Sequence, residues 1–266
     1  MTSEIERLPE YTALGVRVHA INREQAIAQM QEQIARGGRG NYVAVTGMHG
    51  LSESRKDPEF REILNRAFLV VPDGMPLVWL ARVHKIPLRR RVCGSELMEE
   101  FCRTTGARFR HFFYGGAPGV AEDLASQLAK RFGIIIAGTY APPFRLLLPE
   151  EAADVRRRVA ESAPDILWVG LSTPKQEKWM AEFGPQLEVP LMVGAGAAFD
   201  MNSGRLSRAP QWMQASGLEW FYRLLQAPGR LWKRYLVIIP EAAWDVSLEL
   251  LGLRKFDKVN RAMKTP

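Results

Sequence analysis

The sequence predicts an α/β fold: a parallel β-sheet covered by helices on both faces, followed by a C-terminal helical appendage. Three observations carry that expectation. Short apolar runs alternate with amphipathic segments through the middle of the chain, the pattern of βα units. The runs are near-continuous in Val, Ile and Leu, as expected when helices cover both sheet faces. After Asp200 the pattern changes, and segments punctuated by Pro210, Pro228 and Pro240 take over.

In chain order, amphipathic spacing predicts a helix over 23–35, and the apolar run at 42–46 predicts the first strand. A helix over 58–67 leads to a strand over 68–71 and a further helix over 75–83. Next come a helix over 95–105, a strand over 109–114 and a helix over 119–132. A strand over 134–139, a helix over 150–162, a strand over 166–171, a helix over 174–183 and a strand over 191–194 complete the alternation. Helices over 208–226, 228–239 and 241–251 follow. The stretch from 205 is too apolar for a disordered tail, so residues 1–204 are expected to form the catalytic domain and 205–266 a basic helical appendage beside or over it. The domain is therefore Rossmann-like in kind.

The chain has 266 residues, 47% of them apolar and 24% charged, as in an ordinary soluble globular protein. The N-terminal MTSEIERLPEY lacks the basic and apolar regions of a secretory signal, and no apolar run approaches the roughly 20 residues that cross a bilayer. Cys93 and Cys102 form neither a disulfide framework nor a metal cluster. A cytoplasmic enzyme is the plain expectation. The net charge of +7 is concentrated: from Arg205 onward there are 11 Lys+Arg against 5 Asp+Glu, with Trp212, Trp220, Trp232 and Trp244 among them. Such a tail suits nucleic acid, an anionic membrane surface or a phosphate-bearing substrate.

In an open parallel sheet, ligands gather at the carboxyl ends of the strands. Thr46, Asp73, Gly115-Gly116, Tyr140, Ser172-Thr173 and Gly194–Gly196 all fall at such ends. In "FLVVPDGMPLVWL", Asp73 suits a helix cap or, in an apolar setting that raises its pKa, a general base. "YGGAPGVAE" sets Gly115 and Gly116 where backbone N–H groups can approach a phosphate, although the same residues serve a tight turn. "LSTPKQEKW" reads structurally as Thr173 capping, Pro174 in the first position and Gln176 completing a capping box. Lys175 does not fit that reading, because a first-turn lysine opposes the helix dipole at a cost of about 0.3–1 kcal/mol; an anionic ligand removes the conflict. Asp200 suits an ion pair with Arg205 or Arg208, or hydrogen bonds to a ribose or base. No Asp-x-Asp pair, zinc-spaced His/Cys set or Gly-x-Ser-x-Gly elbow occurs, and of the histidines only His49 sits at a strand-end loop.

These segments together resemble the WecG/TagA/CpsF family of glycosyltransferases. The carriers are Val45-Thr46, "RKDPEFREILNRA", "VVPDGMPLVW", "RVCGSELM", "FFYGGAPGVAE", "GTY", "VGLSTPKQEKW", "GAGAAFD" and "RAPQWMQ…GLEWFYRLLQAPGRLWKRYL". The resemblance implies inverting transfer from a UDP-sugar to a polyprenyl-diphosphate-linked saccharide at the inner face of the cell membrane, in cell-surface polysaccharide synthesis. It implies no metal, no cofactor and no nucleic acid, and leaves a homo-oligomer open. It makes Asp73 the base and puts Thr46 in the sugar pocket. It gives substrate contacts to Arg91, Gln176, Tyr140 and Asp200, and sets Arg223, Arg230 and Arg234 over the diphosphate. At one point the chain departs: many members have asparagine where Met48 stands, which leaves the donor sugar open and admits His49 as a sugar-contacting or acid/base residue. Two rivals stand beside this reading. An NAD-dependent oxidoreductase is disfavoured because Tyr114 occupies the first glycine position of the dinucleotide fingerprint, and an RNA- or lipid-binding protein leaves Asp73 and the PKQE helix unexplained.

Overall fold

The computed structural model describes residues 8–210, 212–213, 216–254 and 256. The chain opens with a hairpin that the sequence reading did not contain, β1 (Glu10–Ala13) against β2 (Val16–His19). Its two-residue turn needs positive φ at both positions, which Leu14 (51°) and Gly15 (76°) adopt. Leu-Gly lacks the Asn-Gly signature that would have announced such a turn.

Six parallel strands follow: β3 (Tyr42–Thr46), β4 (Leu69–Pro72), β5 (Arg110–Gly115), β6 (Ile135–Tyr140), β7 (Ile166–Gly170) and β8 (Leu191–Gly194). They pair in the order β4-β3-β8-β7-β5-β6. Each lies within one or two residues of its predicted place. The central strands are buried on both faces, as their unbroken apolar runs require, and only the edge strand β6 is partly open. One face carries α1 (Arg23–Arg36), α5 (Gly94–Thr105), α6 (Val120–Phe132) and the short α9 (Ala198–Asn202). The other carries the hairpin, α2 (Met48–Lys56), α3 (Pro58–Arg66), α4 (Met75–Val83), α7 (Pro149–Ser162) and α8 (Lys175–Phe183). α2 was not expected; it follows β3 directly, starting at Met48 behind an uncapped Gly47.

The appendage differs from the expected three helices. In place of one helix over 208–226, the chain turns at Gly217, where φ is 77°, and α10 covers only Glu219–Gln226. Pro240 does not end a helix either. α11 (Pro228–Lys233) passes through a π-helical turn, Arg234–Ile238, into α12 (Ile239–Leu250). A proline has no N–H to donate and crowds the carbonyl four residues back; a wider turn just ahead of it relieves both problems. α12 docks on α2. Asp245, buried at the contact, is paired with both Arg55 and Arg254, and Glu241 meets Arg55 at 3.0 Å. The Glu249 carboxylate accepts the Leu14 N–H at 2.7 Å, and Ala242 is enclosed in the core. Charge pairs thus fasten the appendage to α2 and the hairpin.

At the carboxyl end of β5, Gly115 (φ 129°) lies so close to β7 that a Cβ there would stand 2.6 Å from the Gly170 carbonyl oxygen. Gly115→Ala meets both a disfavoured φ and immovable backbone, so a loss of about 2 kcal/mol or more is expected. This should appear as a melting temperature lower by roughly 4 °C or more; an unchanged melt would refute the close approach.

Candidate active site

Thr46 and Asp73 are brought together by the sheet itself. β3 and β4 are neighbours with Thr46 paired to Pro72, and the Asp73 N–H donates to the Thr46 carbonyl at 2.9 Å. Gly47 lets the two strand ends close, since a Cβ there would sit 2.6 Å from the Asp73 carbonyl oxygen. The capping role open to Asp73 in the sequence is not realised: α4 begins behind Gly74 with no side-chain cap. The carboxylate faces Arg91 instead, 3.7 Å away.

Arg91 is the centre of a charged cluster. Its guanidinium also bonds the Glu219 carboxylate at the start of α10 and lies 3.8 Å from Glu96, which Arg23 holds at 3.0 Å. Burial opposes the Arg91 charge, but Cys93, Asp73, Glu219 and Glu96 outweigh it, and its pKa is raised. For Asp73 the largest influence is burial, which raises the pKa; Arg91 opposes it, Glu219 reinforces it, and Arg223 and Arg234 oppose it. The net shift is upward. Arg223 and Arg234 of the appendage therefore stand close enough to Asp73 for their charges to act on it. Arg230 lies on α11, with its side chain outside the described residues.

His49, the second residue of α2, is 3.7 Å from Glu53. Burial, assisted by the Arg234 charge, lowers its pKa to about 4. It is therefore neutral at pH 7, a hydrogen-bonding group and a weak base with no proton to give as an acid. Of the two candidates for proton removal, Asp73 has its pKa raised from the ordinary carboxylate value, whereas His49 has its lowered and is the weaker base for it.

A second set of polar groups adjoins Thr46. A Cβ at Gly50 would lie 2.9 Å from the Thr46 methyl and 3.6 Å from that of Thr173. Thr173 Oγ1 donates to Glu177 Oε1 at 2.9 Å, and Gln176 Nε2 donates to the same oxygen at 2.9 Å. Gly194 and Gly196 leave room for the Gln176 amide; a Cβ on Gly194 would come within 2.9 Å of its Nε2. The capping box expected here does not form. α8 begins at Lys175 behind Pro174, and the Thr173 and Gln176 side chains turn to Glu177 rather than to the helix backbone. Thr46 Oγ1, Gln176 Oε1 and Glu177 Oε2 are all buried with no hydrogen-bond partner among the described residues. Burial raises the Glu177 pKa against the hydrogen bonds from Gln176 and Thr173. Unmet buried polar atoms are costly, and three in one wall mark a place built for a polar ligand.

The remaining predicted residues lie at the ends of β5 to β8. Gly116 gives its N–H to the Gly170 carbonyl at 3.0 Å, and both glycines are required by close packing, so the tight-turn role of this loop is realised. Tyr140 stacks on Tyr114 at 5.7 Å, and Tyr114 on Trp179 at 4.2 Å. Asp200 sits on α9. The ion pairs expected for it do not form, because Arg205 pairs with Asp123 and Arg208 with Glu99, both at 2.6 Å. Lys175 is exposed at the start of α8. Among the described residues, neither Lys175 nor Asp200 has an ion-pair partner, and no group of three His, Cys, Asp or Glu could hold a metal. Sequence reasoning missed Glu219 and Glu177. Each had a signal: Glu219 stands four residues before Arg223 on one helix face, and Glu177 closes the PKQE motif.

The model of the glycosyl transferase WecG/TagA/CpsF family matches residues 11–256. A curated relative from Bacillus subtilis is 29% identical over 202 residues, covering 76% of this chain and 77% of its own. Another from Bacillus spizizenii is 32% identical over 188 residues, covering 70% and 71%. Both are named N-acetylglucosaminyldiphosphoundecaprenol N-acetyl-beta-D-mannosaminyltransferase.

The raised Asp73 pKa has a consequence for stability. A carboxyl that ionises less readily in the folded chain than in the unfolded one penalises folding. The penalty begins as pH climbs past the unfolded value and is complete above the folded one. Asp73→Asn removes it, while Arg91 keeps Glu219 and Glu96. The variant should melt at or above the wild-type temperature at pH 7, with the advantage vanishing below about pH 4. A lower melting temperature at pH 7 would show that the ion pair outweighs burial.

Proposed function

The chain belongs to the WecG/TagA/CpsF family of glycosyl transferases, and from that premise we propose that it moves a sugar from a UDP-sugar to a hydroxyl of a polyprenyl-diphosphate-linked saccharide, with inversion and without a metal. The observation that carries this reading is Asp73, a carboxylate with a raised pKa beside Arg91 and within reach of the Arg223 and Arg234 charges. Its oxygen takes the proton of the acceptor hydroxyl as that oxygen attacks the anomeric carbon from the side opposite UDP. The bond from sugar to diphosphate breaks, and the leaving diphosphate carries away the electron pair. Base catalysis and cationic stabilisation of the leaving group are the two needs of such a transfer. Arg223, Arg230, Arg234 and Lys175 are proposed for the second.

Thr46 Oγ1 and Gln176 Oε1, buried and unmatched, are proposed to bind the donor's sugar, with His49 as a neutral contact beside them. Tyr140, Asp200, Thr173 and the Gly115-Gly116 turn are assigned to the nucleotide end. The relatives' names supply the acceptor chemistry, a diphosphoundecaprenol-linked sugar. The group moved is N-acetylmannosaminyl in those names; here Met48 stands beside the sugar pocket, so the donor is left to a screen of UDP-sugars. No described helix is long and apolar enough to cross a membrane. We place the enzyme on the inner face of the cell membrane, supported by the charge of the appendage and by the exposure of Trp212, Trp232 and Trp244.

Asp73→Asn should lower turnover by about 10²–10⁴-fold while UDP binds as before; near-normal turnover in the folded variant would move the base to His49. A second experiment reads the charge cluster. The base works only when ionised, so turnover falls as pH drops through its pKa. Glu219 raises that pKa, and Glu219→Gln should therefore shift the acidic limb of the pH–rate profile to lower pH. A limb that stays in place would separate Glu219 from the base.

A further inference from the structure

An open, apolar groove of about 280 Å³ runs between α4 and α12, lined by Met48, Pro76, Trp79, Leu80, Val83, Ile239, Ala243 and Val246. Nothing in the chemistry above uses it, yet it begins at the active site. Met48 is two residues beyond Thr46, Pro76 is three beyond Asp73, and Ile239 lies just past the π-helical turn that holds Arg234. The far end is open: Trp79, Val83 and Trp244 are half or more exposed. Gly217, in the loop before Glu219, lies beside α4, where a Cβ on it would stand 3.5 Å from Met75 and 3.9 Å from Trp79, and α12 of the appendage supplies Ile239, Ala243 and Val246 to the wall facing α4.

We propose that this groove holds the first isoprene units of the acceptor lipid, those next to its diphosphate. The inference rests on the proposed function and adds to it a binding site for the part of the acceptor that does not react. The chemistry is complementary along the whole track. In a sugar-linked polyprenyl diphosphate, a doubly charged head sits on a narrow hydrocarbon arm that carries one methyl group per isoprene unit. At the inner end stand the charges of Arg223 and Arg234 near Asp73; beyond them every lining side chain is apolar. At the lower limit of ligand pockets, about 300–1,000 Å³, the groove takes a short arm and not a whole lipid. Its open end lets the rest of the chain continue into a bilayer beside the exposed tryptophans. A second copy of the protein would need a broad matching face, and a bilayer alone gives no reason for a narrow channel that ends at the base.

The test uses water-soluble compounds and the full chain, with no vesicles present. Farnesyl diphosphate and dimethylallyl diphosphate share a head group and differ only in the length of the arm. Calorimetry should show the farnesyl compound binding at least ~10-fold more tightly, because hydrophobic pockets discriminate on that scale for even small apolar additions. Ala243→Trp fills the groove and Val83→Asp charges it; neither touches the catalytic cluster, and unchanged UDP affinity and melting temperature will certify the fold. Both variants should erase the chain-length preference. In transfer assays they should raise KM for a farnesyl-diphosphate-linked sugar while sparing kcat. Equal binding of the two diphosphates, or a preference that survives both variants, overturns the proposal. So does an effect of the two variants confined to self-association. If the preference appears and is erased but no UDP-sugar is consumed, the groove stands and the proposed function falls; transfer without any chain-length preference gives the reverse.

Discussion

One buried guanidinium gathers the site. Arg91 sits among three carboxylates from separate parts of the chain: Asp73 behind β4, Glu96 on α5 and Glu219 on α10. Removing a charged group from water is expensive unless its partners are close, and Arg91 has several. The stoichiometry decides what happens to Asp73. A lone Arg91 beside it would stabilise the carboxylate and make it a poor base. Because Glu219 takes the shorter contact, Asp73 is left at 3.7 Å, burial prevails, and its pKa rises. The same bond ties α10 to the sheet domain, so the appendage helps to set the acidity of Asp73.

The second cost is paid in unmet hydrogen bonds. Thr46, Gln176 and Glu177 each present a buried oxygen that no described group satisfies. An interior optimised only for stability would match those atoms or replace them with apolar ones. Their position accounts for their survival. Thr46 closes β3, and Gln176 and Glu177 open α8 beside the glycines after β8, so the rigid sheet presents them to whatever enters the crevice. Glu177 holds Thr173 and Gln176 through one oxygen, which fixes the amide while the second oxygen stays bare.

Much of the sheet was legible because buried parallel strands write an unmistakable apolar run, and the helices between them begin and end at Pro, Gly and Asp. The hairpin was not, because its turn is made by Leu14 and Gly15, and nothing in that pair announces positive φ. The helix boundaries in the appendage failed for a related reason: the reading treated Pro240 as a stop, whereas a π-helical turn absorbs it. At the site, Asp73 and Thr46 were visible as strand ends. The roles of Thr173 and Gln176 as caps were misjudged because local capping rules cannot see Glu177 engaging the same side chains as donors. Glu219 could be seen only as a helix-face partner of Arg223, and its pairing with Arg91 was hidden for a deeper reason. Its importance lies in a contact across 128 residues, and no local pattern encodes that.

The attachment of the appendage explains how two unlike substrates meet. In the proposed transfer the donor is polar and comes from water, whereas the acceptor is amphiphilic and lies at a surface. α12 is fixed to α2 by Asp245 and Glu241 with Arg55, and to the hairpin by Glu249. α10 is fixed to Arg91 by Glu219. Between these two anchors run α11 and the π-helical turn bearing Arg234. Anchored at both ends, this segment cannot slide along the domain without breaking a buried charge pair, which is strongly unfavourable. The Arg234 charge is thereby kept where it acts on Asp73, while Trp232 of α11 remains exposed. In the proposed transfer, a lipid-borne acceptor would meet the Arg223 and Arg234 charges beside Asp73. The Arg91–Glu219 pair that leaves Asp73 with a raised pKa is thus also the one that fixes the appendage beside it.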